Sequence, residues 1–404
     1  MDTKYIEQLE SESAPVSLPA WTTLLLATAC GMIVATLYYV QPLIGPISVA
    51  LGLSSQAAGL IVTMTQLGYG ISLSLVVPLT DVIENRRLIV TALMASTLAL
   101  IVAATSENAL TFMLAMFFVG LSAVASQIVI PYVSYLVAPK ARGNVIGNVV
   151  SGLMLGIMLS RPIASFLTSL GSWRTVFMLA AGGMAVLATV LALLLPERQP
   201  APGLTYGSMI RSMATLYLQS PLLRRRALYH TCLFASFSLF WTTVPLLLAG
   251  PEFQLTQVGI AWFALAGVAG AIAAPIAGRL ADRGWSRALT GFAISAVAVS
   301  FLMTHWGMSG SSLRLAILVL SAIVLDFGVS MNFVVGQRAI FSLAPEYRGR
   351  LNGLYIATFF MGGAMGSALG VWLFAQGGWS LTSLIGFLLP AMALIYYMTE
   401  RRES

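Results

Sequence analysis

The sequence predicts an all-α membrane protein of twelve transmembrane helices in two pseudo-symmetric six-helix bundles. Composition, run length and an internal repeat lead to this. Hydrophobic residues make up 58% of the 404 positions and charged residues 9%, against about 25% charged in soluble domains. A soluble chain of this size would lack the polar surface to cover itself. Apolar runs long enough to span a bilayer as a helix, about 20 residues, recur from end to end. They are not the ~10-residue alternating segments of an outer-membrane barrel. Markers of the first half return in the second: Leu79-Thr80-Asp81 as Leu280-Ala281-Asp282, Arg142-Gly143 with Gly147 as Arg348-Gly349 with Gly353, Pro42 as Pro245, and Cys30 as Cys232.

The elements follow in order. Residues 1–20 carry Asp2, Glu7, Glu10 and Glu12 and end near Pro19. With no basic start and no cleavage site they are not a signal peptide, and they read as a disordered or peripheral cytoplasmic tail. The first bundle, 21–195, places spans at 21–42, 57–79, 88–105, 109–135, 144–168 and 175–195. The first span closes on Tyr38, Tyr39 and Gln41 ahead of Pro42; the second runs to Asp81; Arg86 and Arg87 precede the third; the fourth holds Gln127. The fifth holds Gly152 and Gly156, a spacing that permits close helix contact, and then Arg161 and Pro162.

Residues 196–226 are the longest polar stretch and open with Pro196, Pro200 and Pro202. Met209, Ile210, Met213, Leu216 and Leu218 with Arg211 then read as a short amphipathic helix on the inner leaflet. The second bundle, 227–398, places spans at 227–248, 257–279, 288–306, 313–340, 351–375 and 380–398, with 399–404 as a cytoplasmic tail. Arg224, Arg225 and Arg226 anchor the seventh span, which carries Trp241. The tenth carries Asp326, Asn332 and Gln337, and the eleventh Gly362, Gly363, Gly366 and Gly370.

Lys and Arg orient the chain. Of 21 such residues, all but Arg161, Arg174, Arg314 and Arg338 fall on the face that holds both termini. By the positive-inside rule that face is cytoplasmic. The net charge of +7 is thereby explained by short loops beside anionic lipid rather than by nucleic acid. Arg338, near the inner end of its span, is expected to snorkel. His230 and His305 are expected to be interfacial polar residues, and Cys30 and Cys232 small apolar side chains without a disulfide.

Only Arg161 and Asp326 carry a fixed charge deep inside a span. A charge there is costly and usually functional. A lone acid that meets a cation in one conformation and loses it in another changes its proton affinity with the cycle. The alternative is a permanent ion pair that specifies helix packing. Two duplicated six-helix bundles joined by one linker are the architecture of a rocking transporter; a channel or a membrane enzyme is the alternative. No phosphate-binding loop and no Gly-x-Ser-x-Gly elbow is present, and no ligand spacing supports a metal.

Gly278, Arg279, Leu280, Ala281, Asp282, Arg283 and Arg287 follow the Gly-x-Leu-Ala-Asp-Arg pattern that major facilitator superfamily transporters carry between their second and third helices of each half. The first-half copy keeps Leu79, Asp81, Arg86 and Arg87 but has Val77 for the glycine and Val82 for the arginine. Ser151-Gly152, Gly156 and Arg161-Pro162 resemble the antiporter signature of the fifth helix, with Arg in place of its glycine. Together with Tyr38–Leu43 and the tenth-span polar residues, the chain resembles the twelve-span drug/proton antiporter-like branch, particularly sugar-efflux-permease-like bacterial members.

That resemblance implies the major facilitator fold and a non-enzymatic secondary active transporter. It implies proton-coupled efflux, by antiport and alternating access, of small amphipathic molecules or drugs. The alternative is an uptake or facilitated carrier for a small polar metabolite such as a sugar or organic acid. It places the chain in the bacterial plasma (inner) membrane with cytoplasmic termini. Asp326 and Arg161 are the expected proton-coupling pair. Asp81, Arg86, Arg87, Asp282, Arg283 and Arg287 are the expected gating residues. Tyr38, Tyr39, Gln41, Gln127, Trp241, Asn332 and Gln337 are expected to line the substrate cavity, although Tyr38, Tyr39 and Trp241 also suit a membrane interface. The expected partners are a small-molecule substrate, protons and membrane lipid; no cofactor, metal or nucleic acid is expected, and the protein is expected to be a monomer.

Overall fold

A computed structural model describes residues 19–54, 56–137, 139–199, 205–343 and 348–400. The acidic tail up to residue 18, Pro200, Pro202, Lys4, Arg401 and Arg402 lie outside the described residues, as do the side chains of Lys140 and Arg348. Every regular element among the described residues is helical. The first half contains α1 (Ala20–Ala35), α2 (Leu60–Asp81), α3 (Asn85–Thr105), α4 (Ala109–Leu136), α5 (Ala141–Ser169) and α6 (Trp173–Leu194). The second contains α7 (Pro221–Ala249), α8 (Gln257–Asp282), α9 (Ser286–Met303) and α10 (Ser312–Phe341). The apolar stretch Gly349–Met398 supplies α11 (349–376) and α12 (379–398). Gly377 and Gly378 divide it: Gly378 takes a φ of 60°, which a side chain opposes. Leu98, Leu114, Phe118, Trp262 and Ile395 stand exposed on the helix surfaces, where lipid tails cover them.

The first span is shorter than its apolar run. The α-helix stops at Ala35, passes through a turn, and resumes as a 3₁₀ segment Gln41–Leu43 and a helix Ile44–Ala50. Thr36 Oγ1 donates to Ile33 O at 2.7 Å. Pro42 has no N–H to continue the ladder. The break leaves Tyr38 and Gln41 on irregular backbone buried between the halves, a placement tolerated in a membrane only inside protein.

The sequence repeat reappears as a repeated helix contact. In the first half Gly31 of α1 meets Gly152 and Gly156 of α5, and a Cβ added at Gly31 would lie 2.6 Å from Gly152 O. In the second half Gly362, Gly366 and Gly370 of α11 meet the backbone of Thr231, Ala235 and Leu239 of α7. Small residues thus bring equivalent helix pairs to backbone contact in both halves.

The halves meet along two seams. On one, Thr63 of α2 donates to Ala364 O at 3.2 Å and pairs with Ser367 of α11 at 2.9 Å, and Gln66 Nε2 donates to Ser238 Oγ of α7 at 2.8 Å. Tyr69 stacks edge-on against Phe360. On the other seam Ser165 of α5 donates to Gln257 O and Oε1 of α8, both at 2.8 Å.

The expected amphipathic helix is Tyr206–Gln219, capped by Thr205, with Met209 and Met213 buried and Arg211 exposed. Its Tyr206 Oη donates to Leu75 O of α2 and its Ser212 Oγ accepts from Arg350 Nη1, so it touches both halves. Cys30 and Cys232 are free thiols.

Glu84 caps α3. Its Oε1 accepts from Arg86 N at 2.7 Å and Arg198 N at 3.1 Å, and its Oε2 from Arg87 N at 2.8 Å. Burial alone pushes this carboxyl up. The backbone amides of Arg198, Arg87 and Arg86 and the Arg86 guanidinium outweigh it and hold the carboxyl below the usual carboxylate range. The unfolded chain therefore takes up the proton first as pH falls, so this contribution to stability is full above the usual carboxylate range. It disappears as pH drops through the lowered folded value. Glu84→Gln is expected to melt earlier than the parent at neutral pH and to converge with it in acid. Detergent melting curves against pH check this; a constant gap at every pH would refute it.

Candidate functional site

The two buried charges come together where the halves meet. Arg161 of α5 is 2% exposed and Asp326 of α10 is 4% exposed. Arg161 Nε donates to Gln41 Oε1 at 2.7 Å. Its guanidinium lies against three aromatic faces, with centroids of Trp241 at 4.4 Å, Phe237 at 5.0 Å and Tyr38 at 5.1 Å. Each such contact contributes up to about 2 kcal/mol once water is excluded. Asp326 Oδ1 accepts from Trp241 Nε1 at 2.8 Å. Trp241 thus touches both charges, with its face to the cation and its edge to the acid.

The charges are close without pairing. No nitrogen of Arg161 lies within 4.0 Å of an Asp326 oxygen. Both flank Gly267 of α8: a Cβ added there would sit 2.9 Å from Asp326 Oδ2 and 3.5 Å from Arg161 Nη1. Two unit charges at such separation attract by only a few kcal/mol at an effective dielectric of ~20. Arg161 Nη2 and Gln41 Nε2 are buried donors without an acceptor. Beyond them lies a void of about 10 Å³ lined by Pro42, Trp241, Val244, Pro245, Leu248, Ile260 and Phe263, room for one water at most.

The Major Facilitator Superfamily model matches residues 24–321 and 226–404. The chain belongs to the major facilitator superfamily. The uncharacterised transporter YgaY of Escherichia coli O157:H7 is 36% identical over 373 residues, 92% of this chain and 94% of that one. The probable transporter SCO4007 of Streptomyces coelicolor is 27% identical over 359 residues, 88% and 82% of the two chains. In fold the chain is similar to the nucleoside transporter NupG, with a TM-score of 0.76 at 15% identity over 93% of this chain and 98% of that one. A bacterial homologue of the human lysosomal transporter Spinster, inward-facing and occupied, gives 0.71 at 13% identity over 94% and 96%. This is a membrane transporter of the facilitator type, and its relatives are transporters rather than enzymes.

Within this facilitator fold the expected cavity residues divide. Tyr38, Gln41 and Trp241 join Arg161 and Asp326, and are buried rather than interfacial. Gln127 is half-buried, with Ser126 beside the hydroxyl of Tyr69. Tyr39 is half-buried against the apolar core. Asn332 lies elsewhere, with Nδ2 at 3.0 Å from His230 Nδ1. Gln337 donates to Asn352 Oδ1 at 2.7 Å near the arginine-rich face. His230 is no interfacial residue: it is buried among Phe234, Phe333, Tyr355 and Phe359, because its stretch of α7 is roofed by α10 and α11. His305 is exposed and meets Ser383.

Of the six expected gating residues, Asp81 alone forms an ion pair across the halves among the described residues. Its Oδ2 lies 4.0 Å from Arg350 Nη2 of α11. Asp282 pairs with Arg338 inside the second half, so Arg338 is an ion-pair partner as well as a residue at the surface. Arg86 turns to Leu195 O and Glu197, Arg87 to Glu84, and Arg287 to the Tyr397 ring. Arg283 makes no ion pair among the described residues. Sequence reasoning missed Phe237, Gly267 and Arg350 as contributors. Phe237 stands one helical turn before Trp241 on the same face, a signal that was readable. Nothing in the sequence marks Gly267 among 36 glycines.

Proposed function

We propose that this transporter exports small amphipathic molecules in exchange for protons, by alternating access across a bacterial plasma membrane. The observation that carries the reading is a buried carboxylate near, but not paired with, a buried guanidinium from the opposite half. Arg161 and Gln41 come from the first half, Asp326 and Trp241 from the second. Relative motion of the halves changes the Arg161–Asp326 separation, and the Coulomb term changes with it. Asp326 then binds its proton in one state and yields it in the other. The Asp81–Arg350 contact acts as the latch on the arginine-rich, cytoplasmic face. The Ser165–Gln257 contact acts as the latch on the other. Aromatic walls with a few amides suit an apolar substrate body with an orienting polar group.

One observation favours a second reading. The unpartnered donors Arg161 Nη2 and Gln41 Nε2 would receive an oxyanion, as in a carrier for an organic acid. An anion seated on Arg161 leaves Asp326 as the excess negative charge, so proton and anion would then move together.

The sign of proton movement separates the two. Compounds whose toxicity changes on overproduction of the protein in cells supply the test solutes. Purified protein is placed in liposomes with an acidic lumen and a lumenal pH dye. Antiport predicts that adding the solute outside raises lumenal pH. Further acidification would establish the second reading, and solute flux without any pH change would refute both.

A further inference from the structure

On the arginine-rich face, away from the central site, an open groove of about 700 Å³ lies between the start of α9 and the end of α12. Gly284, Trp285, Arg287, Ala288 and Tyr397 line it. We propose that this groove binds the headgroup of an anionic phospholipid, with Arg287 as the charge contact and Trp285 and Tyr397 as walls.

The walls are of the interfacial kind. Trp285 is 58% exposed and stands where the chain leaves the bilayer, the level at which indole rings settle between headgroups and acyl chains. Tyr397 is fixed from both sides. Its Oη donates to Arg287 O at 2.8 Å, and its ring packs so closely on Gly291 that a Cβ there would lie 2.9 Å from it. The Arg287 guanidinium leans over that ring at 5.8 Å. Arg287 is half-buried, its Nη1 is buried without a hydrogen-bond partner, and no carboxylate among the described residues lies within ion-pairing distance of Arg287. The cation is positioned by a rigid aromatic ring and left without a counter-charge.

The backbone adds to this. Trp285 caps α9 without a side-chain hydrogen bond, and the amides of Ser286, Arg287 and Ala288 are free of backbone acceptors. An 18-residue helix therefore ends at the groove with its positive pole unscreened. Small Gly284 and Ala288 leave the floor open. A phosphate with an apolar tail fits each part: oxygens to Arg287 and the amides, glycerol and upper acyl chain along Trp285. The membrane beside this face supplies such a ligand at high local concentration, attracted by the same arginines that set the topology.

Native mass spectrometry of the full-length protein tests the assignment. The protein is equilibrated in mixed micelles with phosphatidylglycerol or phosphatidylcholine at equal mole fraction, and bound lipids are counted. Phosphatidylglycerol should be retained about fivefold more than phosphatidylcholine, the ratio expected of one interfacial arginine–anion contact of about 1 kcal/mol. Arg287→Gln should remove that preference, and Trp285→Ala should lower retention of both lipids. Trp285 is exposed and its replacement is expected to leave the fold intact, so this arm stands if Arg287→Gln proves unstable. Equal retention of the two lipids, or a preference unchanged in both variants, would overturn the proposal. So would inorganic phosphate at millimolar concentration displacing phosphatidylglycerol completely, which would make the groove a simple anion site.

Discussion

Asp326→Asn is expected to abolish gradient-driven transport while substrate exchange continues. Asn has nearly the shape of Asp, and its Oδ1 can still accept from Trp241 Nε1, now at 2.8 Å. What it cannot do is carry a proton. If Asp326 is the coupling acid, the loss of uphill flux is complete rather than fractional. Exchange of labelled for unlabelled solute needs no net proton movement and should persist within a few-fold. The folded state should survive as well. Removing one member of a touching buried ion pair costs about 3–5 kcal/mol. Arg161 does not touch Asp326 and keeps Gln41 and three aromatic faces, so the cost here falls below that range. Paired assays in liposomes, uphill accumulation against equilibrium exchange, decide the matter. Undiminished uphill transport by the variant would remove Asp326 from the coupling mechanism.

The second large effect is structural. Gly31→Ala, Gly152→Ala and Gly156→Ala should each destabilise the protein by about 2 kcal/mol or more, the scale of overpacking a tight contact. The added methyl would press on backbone rather than on a side chain that could rotate: on Gly152 O, on Ala27, and on Gly31 respectively. Only separation of α1 from α5 relieves it. Separation would also strain the Arg161–Gln41 contact, because Arg161 sits on α5 and Gln41 on the short segment that follows α1. Gly147→Ala and Gly182→Ala are the controls, since a Cβ there has nothing within 4 Å. In helices alanine is favoured over glycine by roughly 1 kcal/mol, so the controls should melt at or above the parent temperature while the three contact variants melt below it. Equal melting of both groups would show that the α1–α5 contact is looser than described.

How far the sequence reaches can be judged from particular residues. The spans were readable because lipid demands a minimum apolar length and satisfied backbone polar groups of each crossing. The exceptions are informative. The first run reads as one helix through Pro42, yet the helix stops at Ala35, because a proline and a buried partner for Gln41 outweigh hydropathy. The break between the last two spans, by contrast, was readable: the gap left between 375 and 380 is where Gly377 and Gly378 interrupt the helix. Tyr38 and Trp241 sit near span ends, where hydropathy cannot tell an interfacial ring from one turned inward; both turn inward to Arg161. His230 was misplaced for the same reason. The partner of Asp81 was unreadable, because Arg350 comes from the opposite half and the nearer Arg86 and Arg87 are engaged with Glu197 and Glu84.

The sequence by itself determined that this chain is an all-helical membrane protein, its duplicated plan, and which two charges stand deep inside apolar spans. Those properties are local: each follows from the free energy of placing one short stretch in hydrocarbon. Only the tertiary structure decided what those charges face. It set Arg161 in a box of Tyr38, Phe237 and Trp241, gave Asp326 an indole rather than a guanidinium as its hydrogen-bond donor, and left Gly267 as the gap beside both. Such relations depend on how helices distant in the chain rotate and approach. Packing of small residues and backbone settles that, and no single segment encodes it.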